Sequence, residues 1–484
     1  MSFNSFSYAL FLPLVLLVTH VLRRRVAGRN AFLLTASYFF YGSWDWRFLS
    51  LIWISTGVDY ICGRLLDWKD MDVPIPDEAW PRRKAILLIS LLCNLVLLGF
   101  FKYYGFFVES AAAFLETIGF RAHLPALNIV LPVGISFYTF QTLSYTIDVY
   151  YGKLRAERNL LNFALFVAFF PQLVAGPIER ARDLLPQMRM ARPVALEVFY
   201  SGFYLIGWGL FKKVVIADNA AILANDVFAA SSPAGLASLI GVYAFALQIY
   251  CDFSGYSDIA RGTARCMGFD LMLNFNLPYF AVNPSDFWRR WHISLSTWLR
   301  DYLYIPLGGN RRGIRRTYIN LMLTMVLGGL WHGAGWTFVC WGIYHGLLLC
   351  FHRVFQPGMA RLAAPVEKSF PVSWFAARVF LFFHLTCISW LLFRAESIGQ
   401  AWSMFRAVMT DWTLGGQVGL SAMMQVGVCA AGLVCIQIAQ HVKKDMDVVL
   451  HSPLPVRALL YLAGMLGFIF LGEYGGQSFI YFQF

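Results

Sequence analysis

Charge is scarce in this chain. Its 484 residues carry 39 lysines and arginines and 27 aspartates and glutamates, a charged fraction of 14%. An ordinary soluble domain carries about 25%. So few charges leave too little polar surface to cover a molecule of this length in water, which excludes a soluble exterior. The nine cysteines show no CxxC spacing and sit mostly in apolar surroundings. That removes a disulfide framework and a cysteine metal cluster, and leaves small buried hydrophobes. Internal repeats and low-complexity tracts are also lacking. No small-residue cleavage site follows the first apolar run, so that run is expected to stay as a helix. No separate soluble domain is expected either. Residues 1–484 read as one membrane domain, richest in motifs over 250–346.

What the chain does have is apolar and aromatic: 58% and 17% of its residues. Runs of about 17–25 apolar residues cross a hydrocarbon core about 30 Å thick. Candidate runs are Ser7–Leu22, Ala31–Ser43, Trp46–Leu66, Ala85–Phe107, Ile129–Tyr150, Val198–Leu210, Leu236–Tyr250, Tyr318–Leu330, Trp336–Arg353, Trp374–Phe393, Ala422–Ala439 and Leu459–Gly472. Several are short or carry polar residues, which suggests broken or re-entrant helices. Pro171, Gly176 and Pro177 interrupt a further run, Leu160–Pro177. The pattern predicts an all-α polytopic membrane protein with about 11–13 transmembrane or re-entrant helices.

Lysines and arginines orient it. Arg23–Arg25, Arg82–Lys84 and Lys443–Lys444 are expected on the cytoplasmic side, which places both termini outside and requires an even number of crossings. Cytoplasmic loops beside anionic lipid then account for most of the net charge of +12. The basic residues are scattered among loops, so nucleic acid is a poor partner.

Function should lie in the polar content of the membrane core. The densest stretch is Asn283–Arg316. Asn283, Ser285 or Asp286 could cap a helix from about Phe287 that carries Arg289, Arg290, His292 and Arg300. An ordinary interfacial helix, with arginines at headgroups and tryptophans in the aromatic belt, explains the arginines equally well. His292 lies amid Trp288, Trp291 and Trp298, where a neutral imidazole offers one donor and one acceptor. The second candidate is His332 in GGLWHGAGW, whose glycines allow close backbone approach. A packing histidine is the plainer alternative. If His332 faces an open passage, its imidazole contributes little packing. His345 follows thirteen residues later, a helical rotation of about 220°, so it is expected on another face and in a structural role. Acyl transfer from a thioester to an alcohol needs a base for the hydroxyl proton and a donor for the developing oxyanion. Two histidines in a tryptophan-lined site supply both. The same residues could line a proton path in a transporter or flippase, although such proteins usually show inverted repeats. Paired histidines could also hold haem or a metal.

FPQLVAGPIER (170–180), YCDFSGYSDIARG (250–262), NPSDFWRRWHISLSTWLRDYLYIPLGGNR (283–311) and LGGLWHGAGWTFVCWGIYHG (327–346) resemble the membrane-bound O-acyltransferases, in particular the branch that serves alginate O-acetylation. The likeness covers nearly the whole chain, including the closing FIYFQF. It implies a ring of helices around a central funnel, with His332 as the catalytic histidine and His292 as the second important one. Trp331, Trp291, Arg289, Arg290, Asp286, Asn320, Asp252, Asp258 and Tyr302, within or near these stretches, are expected to line the funnel or support the site. No metal or bound cofactor is expected; acetyl-CoA or another acetyl thioester is the implied donor substrate. The resemblance further implies a bacterial inner-membrane location and a periplasmic partner with a serine–histidine–aspartate esterase site. That partner would modify an exopolysaccharide, alginate or cellulose. The chain has no GxSxG nucleophile elbow of its own.

Overall fold

A computed structural model describes residues 1–68, 75–120, 127, 129–416, 418–475 and 479–480. Among them every regular element is a helix, with no strand. The chain divides into two compact units: Met1–Phe203 with Ala260–Met272, and Tyr204–Ile259 with Leu273–Phe484.

In the first unit lie α1 (Phe6–Val21), α2 (Val26–Asp45), α3 (Leu49–Leu66), α4 (Trp80–Leu98), α5 (Tyr104–Thr117), α6 (Ile135–Tyr150), α7 (Leu160–Ala168), α8 (Phe170–Leu173) and α9 (Ala181–Arg189). Polar side chains tie three of them together, because a lone polar group in hydrocarbon needs a partner. Asp59 on α3 accepts from Ser90 and Asn94 on α4 and from Thr146 on α6. Arg83, one of the arginines read as cytoplasmic, is 5% exposed. Its guanidinium donates to the carbonyls of Leu66, Val149 and Tyr150, so it closes the C-terminal ends of α3 and α6. The break in Leu160–Pro177 comes at Phe169, between α7 and α8, ahead of the two prolines and the glycine that point to it.

The chain continues through α10 (Leu196–Leu210), a π-helical turn over Phe211–Ala217, α11 (Asp218–Ala229) and α12 (Gly235–Cys266). The rest of the second unit is α13 (Pro284–Arg290), α14 (Ile293–Leu299), α15 (Ile314–His332), α16 (Trp336–Ser369), α17 (Pro371–Arg394), α18 (Ile398–Thr410), α19 (Leu420–Lys443) and α20 (Leu454–Leu471). The apolar run ending at Tyr250 is therefore the first half of a 32-residue helix. Asp252 and Asp258 lower the hydropathy of its second half, yet both are ion-paired inside the protein.

Seven stretches among the described residues are long and apolar enough to cross a membrane: Val26–Leu66, Asp77–Thr117, Gly235–Cys266, Trp336–Ser369, Pro371–Arg394, Leu420–Lys443 and Leu454–Leu471. Val26–Leu66 is two helices, because Asp45 is extended and starts a short 3₁₀ turn between α2 and α3. Large apolar side chains face outward along α4 and α20, among them Leu92, Val96, Leu459 and Phe470, each more than 60% exposed. Such continuous apolar surface belongs in lipid. The protein is an all-α, multi-pass membrane protein.

Candidate active site

Everything at this site belongs to the second unit. Asn283 starts α13: its side chain accepts the Asp286 N–H at 2.8 Å, and Pro284 occupies the first turn, where a missing N–H costs nothing. Asp286 also pairs with Arg290, Oδ1 to Nε 2.9 Å. The helix then stops. Trp291 is extended and His292 is left-handed, with φ 43° and ψ 55°, so the single helix expected from Phe287 to Arg300 is broken at the histidine itself. A non-glycine residue in that region costs on the order of 1 kcal/mol and persists only where its surroundings force it. Asn274 does the forcing. Its carbonyl accepts the Ile293 N–H at 2.9 Å, and its side-chain oxygen accepts the Ser294 N–H and hydroxyl at 3.1 and 2.9 Å.

His332 is the last residue of α15. The α15–α16 pair is drawn together by glycines. A methyl group at Gly329 would come within 2.3 Å of the Phe338 carbonyl oxygen, and one at Gly342 within 2.5 Å of the Met325 carbonyl oxygen. Only hydrogen fits there. This approach seats Trp341 of α16 against His332, with ring centres 5.0 Å apart.

The two histidine rings lie 6.2 Å apart, centre to centre. Trp331 touches both, at 5.7 and 5.1 Å. Phe253 of α12 meets His292 edge-on at 4.7 Å, and Phe393 of α17 meets His332 at 5.4 Å. His292 is fully buried and His332 is 3% exposed. The imidazole of His332 is thus a packed member of an aromatic cage, which corrects the expectation that it contributes little packing. His345 is separated from His332 by the break at Gly333–Gly335, so a rotation counted along one helix does not apply. Trp341 touches both rings, His345 at 4.6 Å. The His345 nitrogens have no hydrogen-bond partner among the described residues.

Of the other nominated residues, Trp291 stands beside the cage: it packs on Phe275, Tyr279 and Trp390, and Phe275 in turn lies 6.4 Å from His292. Asp286 and Arg290 hold the start of α13, and Arg289 is exposed. Tyr302 packs on Trp298. Asn320 lies twelve residues before His332 on α15, about 18 Å along the helix. Its amide donates to the carbonyls of Leu307 and Gly309, so it anchors the loop before α15 rather than the cage. Asp252 and Asp258 are held in two ion-pair groups. Lys213 bridges Asp252 and Asp218 at 2.9 and 2.8 Å, while Lys212 pairs with Asp258 at 2.7 Å. The Ile480 N–H donates to Asp252 at 2.7 Å, and Phe479 packs on Tyr256 and Phe253. The rest of the closing segment Gln477–Phe484 lies outside the described residues.

Sequence reading missed Asn274, Phe253, Phe275, Trp341 and Phe393. Phe253 and Trp341 sit inside the stretches that carried the resemblance. Asn274, Phe275 and Phe393 carry no local signal, since only tertiary packing brings them to the histidines. Chemically, the cage offers two imidazoles close enough to address one small reacting group in a dry, indole-lined setting.

The family model of the membrane-bound O-acyltransferases matches residues 153–394, half of the chain, and covers both histidines. The chain is 44% identical over 407 residues to a probable alginate O-acetylase AlgI of Azotobacter vinelandii, an alignment covering 84% of this chain and 77% of that protein. It is 42% identical over 404 residues to the probable alginate O-acetylase AlgI of Pseudomonas aeruginosa, covering 84% and 74%. A peptidoglycan O-acetyltransferase of Helicobacter pylori is 34% identical over 404 residues, covering 78% and 73%. With the fold, the family model and alignments of this length in agreement, the chain belongs to the membrane-bound O-acyltransferase family, and it is an O-acyltransferase.

Proposed function

We propose that the chain takes an acetyl group from a cytoplasmic thioester, acetyl-CoA or a related donor, and passes it across the bacterial inner membrane for O-acetylation of an exopolysaccharide. His332 acts as general base: it takes the proton of an acceptor hydroxyl as the oxygen attacks the thioester carbonyl. His292 and the Trp331 indole polarise that carbonyl or hold the oxyanion as the C–S bond breaks, and the imidazolium returns its proton to the leaving thiolate. The carrying observation is the two histidines 6.2 Å apart in one aromatic cage, where competing water is excluded. Alginate is the favoured polymer, because the relatives named for alginate are more similar than the one named for peptidoglycan. Arg23–Arg25, Arg82–Lys84 and Lys443–Lys444 support a topology with both termini in the periplasm. The chain has no nucleophile elbow, which supports a division of labour with a periplasmic serine–histidine–aspartate partner that completes transfer to the polymer.

The test is turnover of labelled acetyl-CoA by the purified chain in proteoliposomes. Release of free CoA that is lost in His332→Gln supports the reading. A wild-type protein that leaves the thioester intact, or a variant that cleaves it as fast as wild type, overturns it.

A further inference from the structure

In the second unit, a cavity of about 560 Å³ runs between α12, α17 and α19. Its volume falls in the range of built ligand sites, about 300–1,000 Å³. Along α19 it extends from Met423 to Gln437, fourteen residues or about 21 Å. One leaflet of hydrocarbon is about 15 Å deep, so the cavity is long enough to take one lipid chain. Its walls are almost wholly apolar. Gly427 widens it, since a methyl group there would meet nothing within 4 Å.

One end of this cavity is basic. Phe280 lines it, and His441 is sandwiched between Phe280 and Phe375, each ring 5.1 Å away and nearly parallel. Lys443 and Lys444 follow at the end of α19, both exposed. Arg378 precedes the lining residue Val379 on α17. The nearby carboxylate of Asp445 is turned to His451, Oδ2 to Nδ1 2.7 Å. An apolar slot longer than one leaflet, ending in cations on the side assigned to the cytoplasm, matches a molecule with an alkyl tail and an anionic head. Anionic lipid is concentrated in that leaflet, and each lysine or arginine near it contributes about 1 kcal/mol.

We propose that this cavity holds one acyl chain of an anionic phospholipid, with its phosphate at the His441–Lys443–Lys444 end. The site is separate from the histidine cage, and the lipid is a resident ligand rather than an acyl donor.

Native mass spectrometry of the purified full-length chain, after delipidation and incubation with phosphatidylglycerol or phosphatidylcholine, tests it. Wild type should retain one phosphatidylglycerol at least fivefold more than phosphatidylcholine. Gly427→Phe fills the slot without a backbone clash and should lose retention of both lipids while staying folded. Lys443→Gln with Lys444→Gln should keep the chain-dependent binding and lose the headgroup preference. The proposal is overturned if wild type retains neither lipid, if it retains both equally, or if Gly427→Phe binds as wild type does.

Discussion

Replacing Gly329 by alanine tests whether the α15–α16 approach sets the geometry of the cage. The added methyl would stand 2.3 Å from the Phe338 carbonyl oxygen and 3.2 Å from the Gly342 Cα. Both are backbone atoms, so no rotamer change relieves the clash, and relief to ordinary contact needs a separation of about 1.1 Å. His332 lies three residues further along α15 and Trp341 is next to Gly342, so this shift opens the 5.0 Å contact between their rings. A displacement of about 1 Å in a catalytic constellation costs on the order of 100-fold in rate. Overpacking of this kind costs about 1–3 kcal/mol of stability, partly offset by the gain of up to ~1 kcal/mol for glycine to alanine in a helix. Activity should therefore fall far more than stability. Gly335→Ala is the control: its backbone is extended and its methyl would meet only the Phe338 ring edge, at 3.5 Å. Acetyl-donor turnover and thermal unfolding in detergent would be measured for both. A Gly329→Ala protein of normal turnover, or a Gly335→Ala protein equally impaired, would refute the reasoning.

Other outcomes are as direct. His332→Gln keeps volume in the aromatic cage, and its turnover should fall by about 10²–10⁴-fold, the usual worth of a general base; unchanged turnover would remove His332 from the mechanism. His292→Ala should be severely impaired but keep a trace, read in the same assay. Reporter fusions after Arg25, Arg83 and Lys444 should report cytoplasm and fusions at both termini periplasm; a cytoplasmic C-terminus would contradict the topology. The purified chain should turn over donor yet leave added polymer unacetylated until the periplasmic partner is supplied, and polymer acetylation by the chain alone would end the division of labour. Deleting Phe479–Phe484 should lower donor turnover as well as polymer acetylation, because Phe479 packs behind the Phe253 ring that meets His292. Intact turnover after the deletion would assign that segment to the partner instead.

Composition and run length made the all-α membrane architecture legible, because a chain with 14% charge must hide its backbone in helices inside lipid. Helix boundaries were less legible where charges are paired. Hydropathy scores Asp252 and Asp258 as water-facing and so ends the run over 236–250 at Tyr250, while α12 continues through both residues because Lys213 and Lys212 neutralise them. Those lysines are inconspicuous in the sequence for the same reason: each lies in the π-helical turn beside an apolar run, and nothing local announces its carboxylate.

The break at His292 shows a different limit. Every residue from Phe287 to Leu299 is acceptable in a helix, and a capping asparagine precedes them, so local rules favour one continuous helix. The competing influence is Asn274, eighteen residues upstream, which takes the Ile293 and Ser294 N–H groups that a continuous helix would have bonded internally. Without those bonds His292 has no reason to enter the left-handed region. Asn274→Ala removes the side-chain acceptor of the Ser294 N–H and hydroxyl while keeping the main-chain acceptor of Ile293, so it should loosen the break and let the His292 ring shift away from His332. This variant removes a positioning group without touching either imidazole. It should lower turnover while leaving His332 in place, and a fully active Asn274→Ala protein would show that the break itself is dispensable.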